Sequence, residues 1–301
     1  MVRGVKMKRS FGVRLFNVFN ILMLILVMLT ILFPILYILS ISVSNPQAII
    51  EQRVTIYPIG FSLKAYKHLI TDKYFLGAFF NSIWVTCAVT VLSIFVITPA
   101  AYSLSRPFYG RKIINYFFIF TMYFSGGLIP TYILYTKYYH LFNSYLVYIL
   151  PSLVNVFYLI VIRSQLEAVP KSLIESATID GAKELQVLFY IVIPTIIPTI
   201  LAIGMFIMLA SWNMWFPSMI YTDNRSMWLL QYYLRSVIAD KSTFVATGLG
   251  ALVDMRVADS DVVAENFQMA AIIVAAAPML IIYPFIQKYF TKGIIAGSVK
   301  G

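Results

Sequence analysis

Charge is what this chain has least of. Asp, Glu, Lys and Arg make up 12% of its 301 residues, about half their share in an ordinary soluble domain. The few charges are also segregated. Six stretches, 15–43, 76–103, 113–136, 145–162, 195–218 and 267–287, hold none of the four. Each is near or above the roughly 18–20 apolar residues that cross about 30 Å of hydrocarbon as a helix. The shortest, 145–162, must borrow a residue or two from its flanks. This poverty of charge excludes an ordinary soluble enzyme and predicts six membrane spans.

Other absences narrow the function. The single cysteine, Cys87, lies inside the second stretch, so no intrachain disulfide can form. His68 and His140 stand apart from each other and from Cys87, which leaves a zinc ion without a ligand set, and no metal site is expected. No segment matches G-x-x-x-x-G-K-[ST], so any ATP must be bound by another chain. Asp259-Ser260-Asp261 has the D-x-D form of metal-dependent sugar transferases. No further ligands surround it, and Val263 breaks the calcium-loop pattern, so a solvated acidic loop is the better reading. A proton- or ion-coupled carrier usually needs ionisable groups near the midplane. Spans without Asp, Glu, Lys or Arg argue against one. Carrier and membrane glycosyltransferase stand as the rival classes.

The charge that is present sorts by side. With the N terminus inside, segments 1–14, 104–112, 163–194 and 288–301 carry 14 basic residues in 69 positions. The outer segments 44–75, 137–144 and 219–266 carry 9 in 88. This bias, about twofold in density, predicts that both termini are cytoplasmic. The formal charge of +11 then reflects topology and an anionic leaflet, and calls for no nucleic-acid partner. A cleaved leader is disfavoured, because the first apolar run is about twice the length of a signal-peptide core and lacks an A-x-A site. The expected organisation is a cytoplasmic N-terminal segment, 1–14, and one six-helix membrane domain, 15–301. Its largest excursions are the inner loop 163–194 and the outer segment 219–266.

Several short stretches carry more detail. Pro34 and Pro99 fall inside spans, where proline usually marks a kink. "LKAYKHLITDKYF", Leu63 to Phe75, reads as an amphipathic surface helix, and "SMWLLQYYLRSVI", Ser226 to Ile238, as a helix with one apolar face. "SRPFYGRK", Ser105 to Lys112, is a tight basic turn. "YFSGGLIPTY", Tyr123 to Tyr132, predicts a broken third span at Gly126, Gly127 and Pro130, of the kind found beside transport pathways. In "SWNMWF", Ser211 to Phe216, stacking aromatics stand next to an amide, a pairing that suits sugar rings. An interfacial tryptophan belt explains the same residues nearly as well. Asn81 and Asn155 are intramembrane amides, for which interhelical hydrogen bonding competes with ligand contact. Tyr123, Asn155, Trp212, Asn213 and Trp215 are the candidates for a substrate pathway.

The least expected segment is Pro170 to Pro194, "PKSLIESATIDGAKELQVLFYIVIP". Pro170 suits a helix start, and Ser172-x-x-Glu175 has the capping-box spacing. Ile174, Ala177 and Ile179 offer apolar contact before Gly181 breaks the helix. A second run, 182–193, then ends at Pro194. The pattern is helix, glycine turn, helix, placed between two spans.

This segment resembles the EAA loop in the membrane subunits of binding-protein-dependent ABC importers. Glu175, Ser176 and Ala177 stand at E-A-A, Gly181 at the loop glycine, and Ile191-Val192-Ile193-Pro194 at I-x-L-P. Ser176 and Ile193 are mild departures. Asp180-Gly181-Ala182 is similar to the D-G-A of the carbohydrate-uptake, maltose-type branch. "MYFSGGLIPTY", "SWNMWF" and the end "YFTKGIIAGSVKG" resemble a subgroup for complex oligosaccharides and uronate-containing sugars. The likeness covers most of 15–301.

The resemblance implies an all-α type I importer permease of six transmembrane helices, forming half of a pore in a bacterial cytoplasmic membrane. It implies no catalysis by this chain and no cofactor in it. Its partners would be a second permease subunit, two ATPase subunits that bind ATP and Mg, an extracellular sugar-binding protein, membrane lipid and an oligosaccharide substrate. It also makes Ile174, Glu175, Ala177, Asp180, Gly181, Ala182 and Pro194 the ATPase-coupling element. Ile174 and Ala177 would fill a cleft on the ATPase, and Glu175 would meet a basic group there.

Overall fold

The computed structural model describes residues 11–238 and 264–298. Every regular element among them is helical. Asp259 and Asp261 lie outside the described residues. Four helices are long and apolar enough to cross a membrane, and six spans result if each of two bent pairs counts as one.

Two units divide the chain, 1–69 with 240–273 and 70–239 with 274–301. In the first, α1 (Phe11–Ser42) is apolar on all sides and leaves nearly its whole length unburied by protein, as suits a helix whose neighbour is lipid. Only its last turn is covered. Ile41 packs there with Ala48 and Ile49 of α2 (Pro46–Ile50), with Val54, and with Met269. The Asn266 amide donates to the Ile41 carbonyl at 2.6 Å. Ala65, at the start of α3 (Lys64–Thr71), meets Ala270 between Tyr66 and Phe267. Asn266, Met269 and Ala270 belong to the final helix, α14 (Ala264–Ser298).

The amphipathic stretch 63–75 is therefore not one helix. Asp72 interrupts it by accepting from the backbone N–H groups of Tyr74 and Phe75, and so caps the next helix, α4 (Lys73–Ser105). A carboxylate at this position satisfies N–H groups that a new helix leaves unpaired.

The core of the second unit is built on α4, α8 (Val156–Glu167) and α11 (Ile193–Trp212), with Val85, Val89, Ile97, Leu159, Ile162, Ile203 and Ile207 buried among them. Asn81 of α4 is spent on packing of the interhelical kind. Its amide donates to the carbonyls of Ser226 and Trp228 at 2.7 and 3.1 Å, and its oxygen accepts from the Tyr145 hydroxyl at 3.0 Å.

The expected break in the third span is present. Helix α5 (Arg111–Tyr123) and the next, α6 (Leu128–Ile133), which runs on through a π-helical turn to Tyr138, meet at 108°. Gly127, at φ +85°, supplies a backbone conformation that side-chain-bearing residues avoid. The fourth span is also broken, which the sequence reading missed. The helical run Leu146–Ser152, of which α7 is Leu146–Ile149, bends by 43° before α8. Asn155 caps α8 by accepting from Phe157 and Tyr158 N–H at 3.0 and 3.4 Å.

Pro194 does not end a helix, contrary to expectation. Residues Glu184 to Trp212 form one continuous span. It begins as α10 (Glu184–Gln186), widens into a π-helical turn, Val187–Val192, and continues as α11 with Pro194 in its first turn. A proline forfeits one helical hydrogen bond and crowds the carbonyl four residues back. The wider turn beside it alters the hydrogen-bond pattern where that carbonyl lies.

Candidate functional site

The segment after α8 folds as α9 (Lys171–Ile179) and a turn. Helix α9 starts directly after Pro170, and no side chain caps it. The capping box expected from Ser172 and Glu175 is not formed. Pro170 itself occupies the cap position, which places Ser172 inside the first turn instead of ahead of it.

The other end of α9 is closed by its backbone. Gly181 N–H donates to the Thr178 carbonyl at 3.1 Å, and Ala182 N–H to the Ala177 carbonyl at 3.0 Å. With Gly181 at φ +82°, these two bonds are a Schellman cap, in which a left-handed residue lets the chain satisfy the last carbonyls and turn away. Asp180 occupies the last helical boundary and is exposed.

The apolar residues expected to dock outward divide differently. Ala177 is buried in the chain's own core, and Ile174 packs against that core. Three residues apart, they share the inward face of α9, so they anchor the helix instead of presenting it. Glu175 and Ile179, four residues apart, are both exposed; Ile179 is 85% exposed, and Glu175 stands at the edge of the cleft described below. Leu173 adds a further exposed apolar side chain.

A polar interlock that the sequence did not reveal holds this loop to α4. The Tyr102 hydroxyl donates to Glu184 Oε2 at 2.7 Å and accepts from Arg106 Nη2 at 2.7 Å. The Arg106 guanidinium also lies 4.9 Å from the Tyr102 ring centroid and 3.8 Å from Glu184 Oε2. Nearby, Arg111 pairs with Glu167, which Arg163 approaches at 3.4 Å, and Arg111 Nε donates to the Leu104 carbonyl at 2.8 Å. Between these groups and α9 opens a cleft of about 580 Å³, lined in part by Tyr102, Arg106, Arg111, Lys171, Ile174 and Glu175. The basic turn 105–112 was the only sequence signal of this arrangement.

The pathway candidates lie apart from this loop. Trp212 and Asn213 stand at the far end of α11, about 30 Å away along a helix of 20 residues. Trp212 is 3% exposed and its indole N–H donates to the Ala275 carbonyl at 3.2 Å, so the residue is committed to packing. Asn213 closes α11 by donating to the Leu209 carbonyl at 2.8 Å, and it is exposed. Trp215 is half-buried at the start of α12 (Phe216–Tyr221). Tyr123 ends α5 at the break in the third span and is 73% exposed. Asn155 is exposed at the other break, its oxygen already engaged as a cap.

A bundle of apolar helices with broken spans, carrying a capped helix-turn at one end of its longest core helices, is the architecture of a transporter's membrane subunit. No family model matches the chain. It is 33% identical over 289 residues to the polygalacturonan/rhamnogalacturonan transport system permease protein YtcP of Bacillus subtilis (strain 168), covering 96% of this chain and 99% of that protein. It is 36% identical over 289 residues to protein LplC of the same organism, covering 96% of each. Among solved structures, a chain of a bacterial ABC transporter involved in import of the acidic polysaccharide alginate superimposes with a TM-score of 0.84. The two are 31% identical, over 95% of this chain and 100% of that one. The chain belongs to the carbohydrate permeases of the ABC transporters. It is a membrane transport subunit, and ATP hydrolysis belongs to a separate subunit.

Proposed function

We propose that this chain forms half of the translocation pathway of an importer for acidic oligosaccharides and receives the ATPase stroke through residues 163–194. The carrying observation is α9. Its inward face is locked by Ile174 and Ala177, its end is fixed by the Gly181 cap, and its outward face presents Glu175 and Ile179 to a partner. A rigid short helix with one carboxylate and two exposed aliphatic side chains, Leu173 and Ile179, suits a cleft on a soluble domain. Asp180, Ala182 and Pro194 serve the turn and the entry into the span.

In this reading two ATPase subunits bind ATP and Mg, a second permease completes the pore, and an extracellular binding protein delivers the sugar. No cofactor resides in this chain. The basic-residue bias supports termini and coupling loop on the cytoplasmic side. The acidic character of the sugar rests on the polygalacturonan/rhamnogalacturonan permease and the alginate transporter chain, which match over 96% and 95% of this chain.

The test is Glu175→Ala in the assembled complex. Truncating a charge at such an interface should weaken ATPase docking by more than about tenfold and abolish uptake, while the chain still reaches the membrane. Normal uptake with the ATPases bound would show that Glu175 has no part in coupling.

A further inference from the structure

Helix α13 (Leu230–Ile238) is held by its inner face. Leu230, Tyr233, Leu234 and Val237 are buried, the Tyr233 hydroxyl donates to Asp72 at 2.8 Å, and Leu230 N–H donates to Ser82 Oγ at 2.8 Å. Its outer face carries Tyr232 and Arg235, three residues apart and so side by side. The Arg235 guanidinium lies 4.1 Å from the Trp215 ring centroid. On the other side Tyr232 meets Trp228 edge to face at 4.7 Å, and Arg225 lies over Trp228 at 5.8 Å. Two guanidinium groups and three aromatic rings thus line one strip: Arg225, Trp228, Tyr232, Arg235, Trp215.

Stacking uses only the face of a guanidinium. Its five N–H donors point outward from the edge, in the fork that matches a carboxylate. Among the described residues neither Arg225 nor Arg235 has a carboxylate within 4.0 Å. Arg235 is exposed, although most of its helix is buried. A cation fixed on an indole, with its donors unspent, has already lost the rotamer freedom that binding would otherwise cost. The strip lies at the end of α11 remote from the coupling loop, beside exposed Asn213.

We propose that Arg235, positioned by Trp215, reads the carboxylate of a uronate unit on the incoming oligosaccharide, with Arg225 on Trp228 as a second reader along the strip. This rests on the reading of the chain as a permease for acidic oligosaccharides and adds the residues that distinguish acidic from neutral sugar. Trp215 is a positioning residue in this scheme, while Arg235 makes the contact.

The test is binding to the assembled membrane complex, both permeases and both ATPases, in nanodiscs without the binding protein. Calorimetric titration compares a short oligogalacturonate with the same oligomer whose carboxylates have been reduced to alcohols. The wild type should prefer the acidic oligomer. Arg235→Gln should cut that preference about tenfold, as for one charge-assisted hydrogen bond lost, and leave the neutral oligomer's affinity unchanged. Arg235→Lys should restore only part of it, since an ammonium cannot form the two parallel bonds. A preference that survives Arg235→Gln overturns the proposal and leaves the acidic-sugar reading standing. Equal binding of the two oligomers by the wild type overturns both. If Arg235→Gln spares sugar preference but loosens retention of phosphatidylglycerol in mixed nanodiscs, the guanidinium is a lipid anchor, and the proposal fails.

Discussion

Gly181 separates a conformational requirement from a steric one. A Cβ built on it meets nothing within 4 Å, so a side chain there would collide with no neighbour. The cost of substitution is then torsional alone, since φ stands at +82°. For an L residue the left-handed region costs about 1–2 kcal/mol, which is about a 5–30-fold change in equilibrium. That strain opposes only the capped turn, in which α9 presents Glu175 and Ile179. Gly181→Ala should therefore weaken binding of ATPase subunits to the membrane complex by up to about 5–30-fold. Asn enters the left-handed region far more readily than Ala, so Gly181→Asn should recover most of the loss despite its larger side chain. The assay is titration of fluorescent ATPase subunits onto the permease pair in nanodiscs. Equal losses for Ala and Asn would mean that bulk matters and the torsional argument is wrong. A harmless Gly181→Ala would mean that docking does not depend on the cap.

Two further outcomes follow from the same structure. In a background with Cys87 replaced by Ser, cysteine at Ser226 should react with an impermeant thiol reagent in whole cells, while cysteine at Ser172 should not; the reverse pattern would invert the topology. Asn81→Ala leaves the Trp228 carbonyl without its buried donor, at about 1–3 kcal/mol for an unsatisfied buried group, while the Tyr145 hydroxyl and the Ser226 carbonyl keep their bond to each other at 3.4 Å. Its melting temperature in detergent should fall clearly, whereas Asn155→Ala, which loses an exposed cap, should lower it less.

What could be read from the sequence was whatever depends on neighbours along the chain. Runs without charge located the apolar helices, and Gly126-Gly127 with Pro130 located the sharp break in the third span. Gly181 was legible as a turn because few other residues hold a positive φ without strain. Pro194 misled, since a proline looks the same whether the helix stops or widens around it. Ile174 and Ala177 misled for a related reason. Periodicity gave them a shared face, but only the packing shows that the face belongs to this chain's own core. The Tyr102–Arg106–Glu184 interlock joins residues about 80 positions apart, and no local pattern announces such a meeting. Arg235 on Trp215 was hidden in the same way, and Trp212, the more obvious half of "SWNMWF", is the half that packing consumes.

The π-helical turn at Val187–Val192 has a bearing on how this protein can change over time. Such a turn is what an α-helix becomes when one residue is inserted and the surrounding contacts refuse to rotate. Each residue of an α-helix advances the chain by about 100° about its axis. Removing one residue from 187–192 would let the turn relax to a regular helix with α9 and α11 still in phase, whereas adding one residue that the turn cannot absorb would swing everything before it, α9 included, by about that angle relative to α11. The turn thus makes the two directions of length change unequal, and lineages of this permease should lose one residue across 187–192 more readily than they gain one.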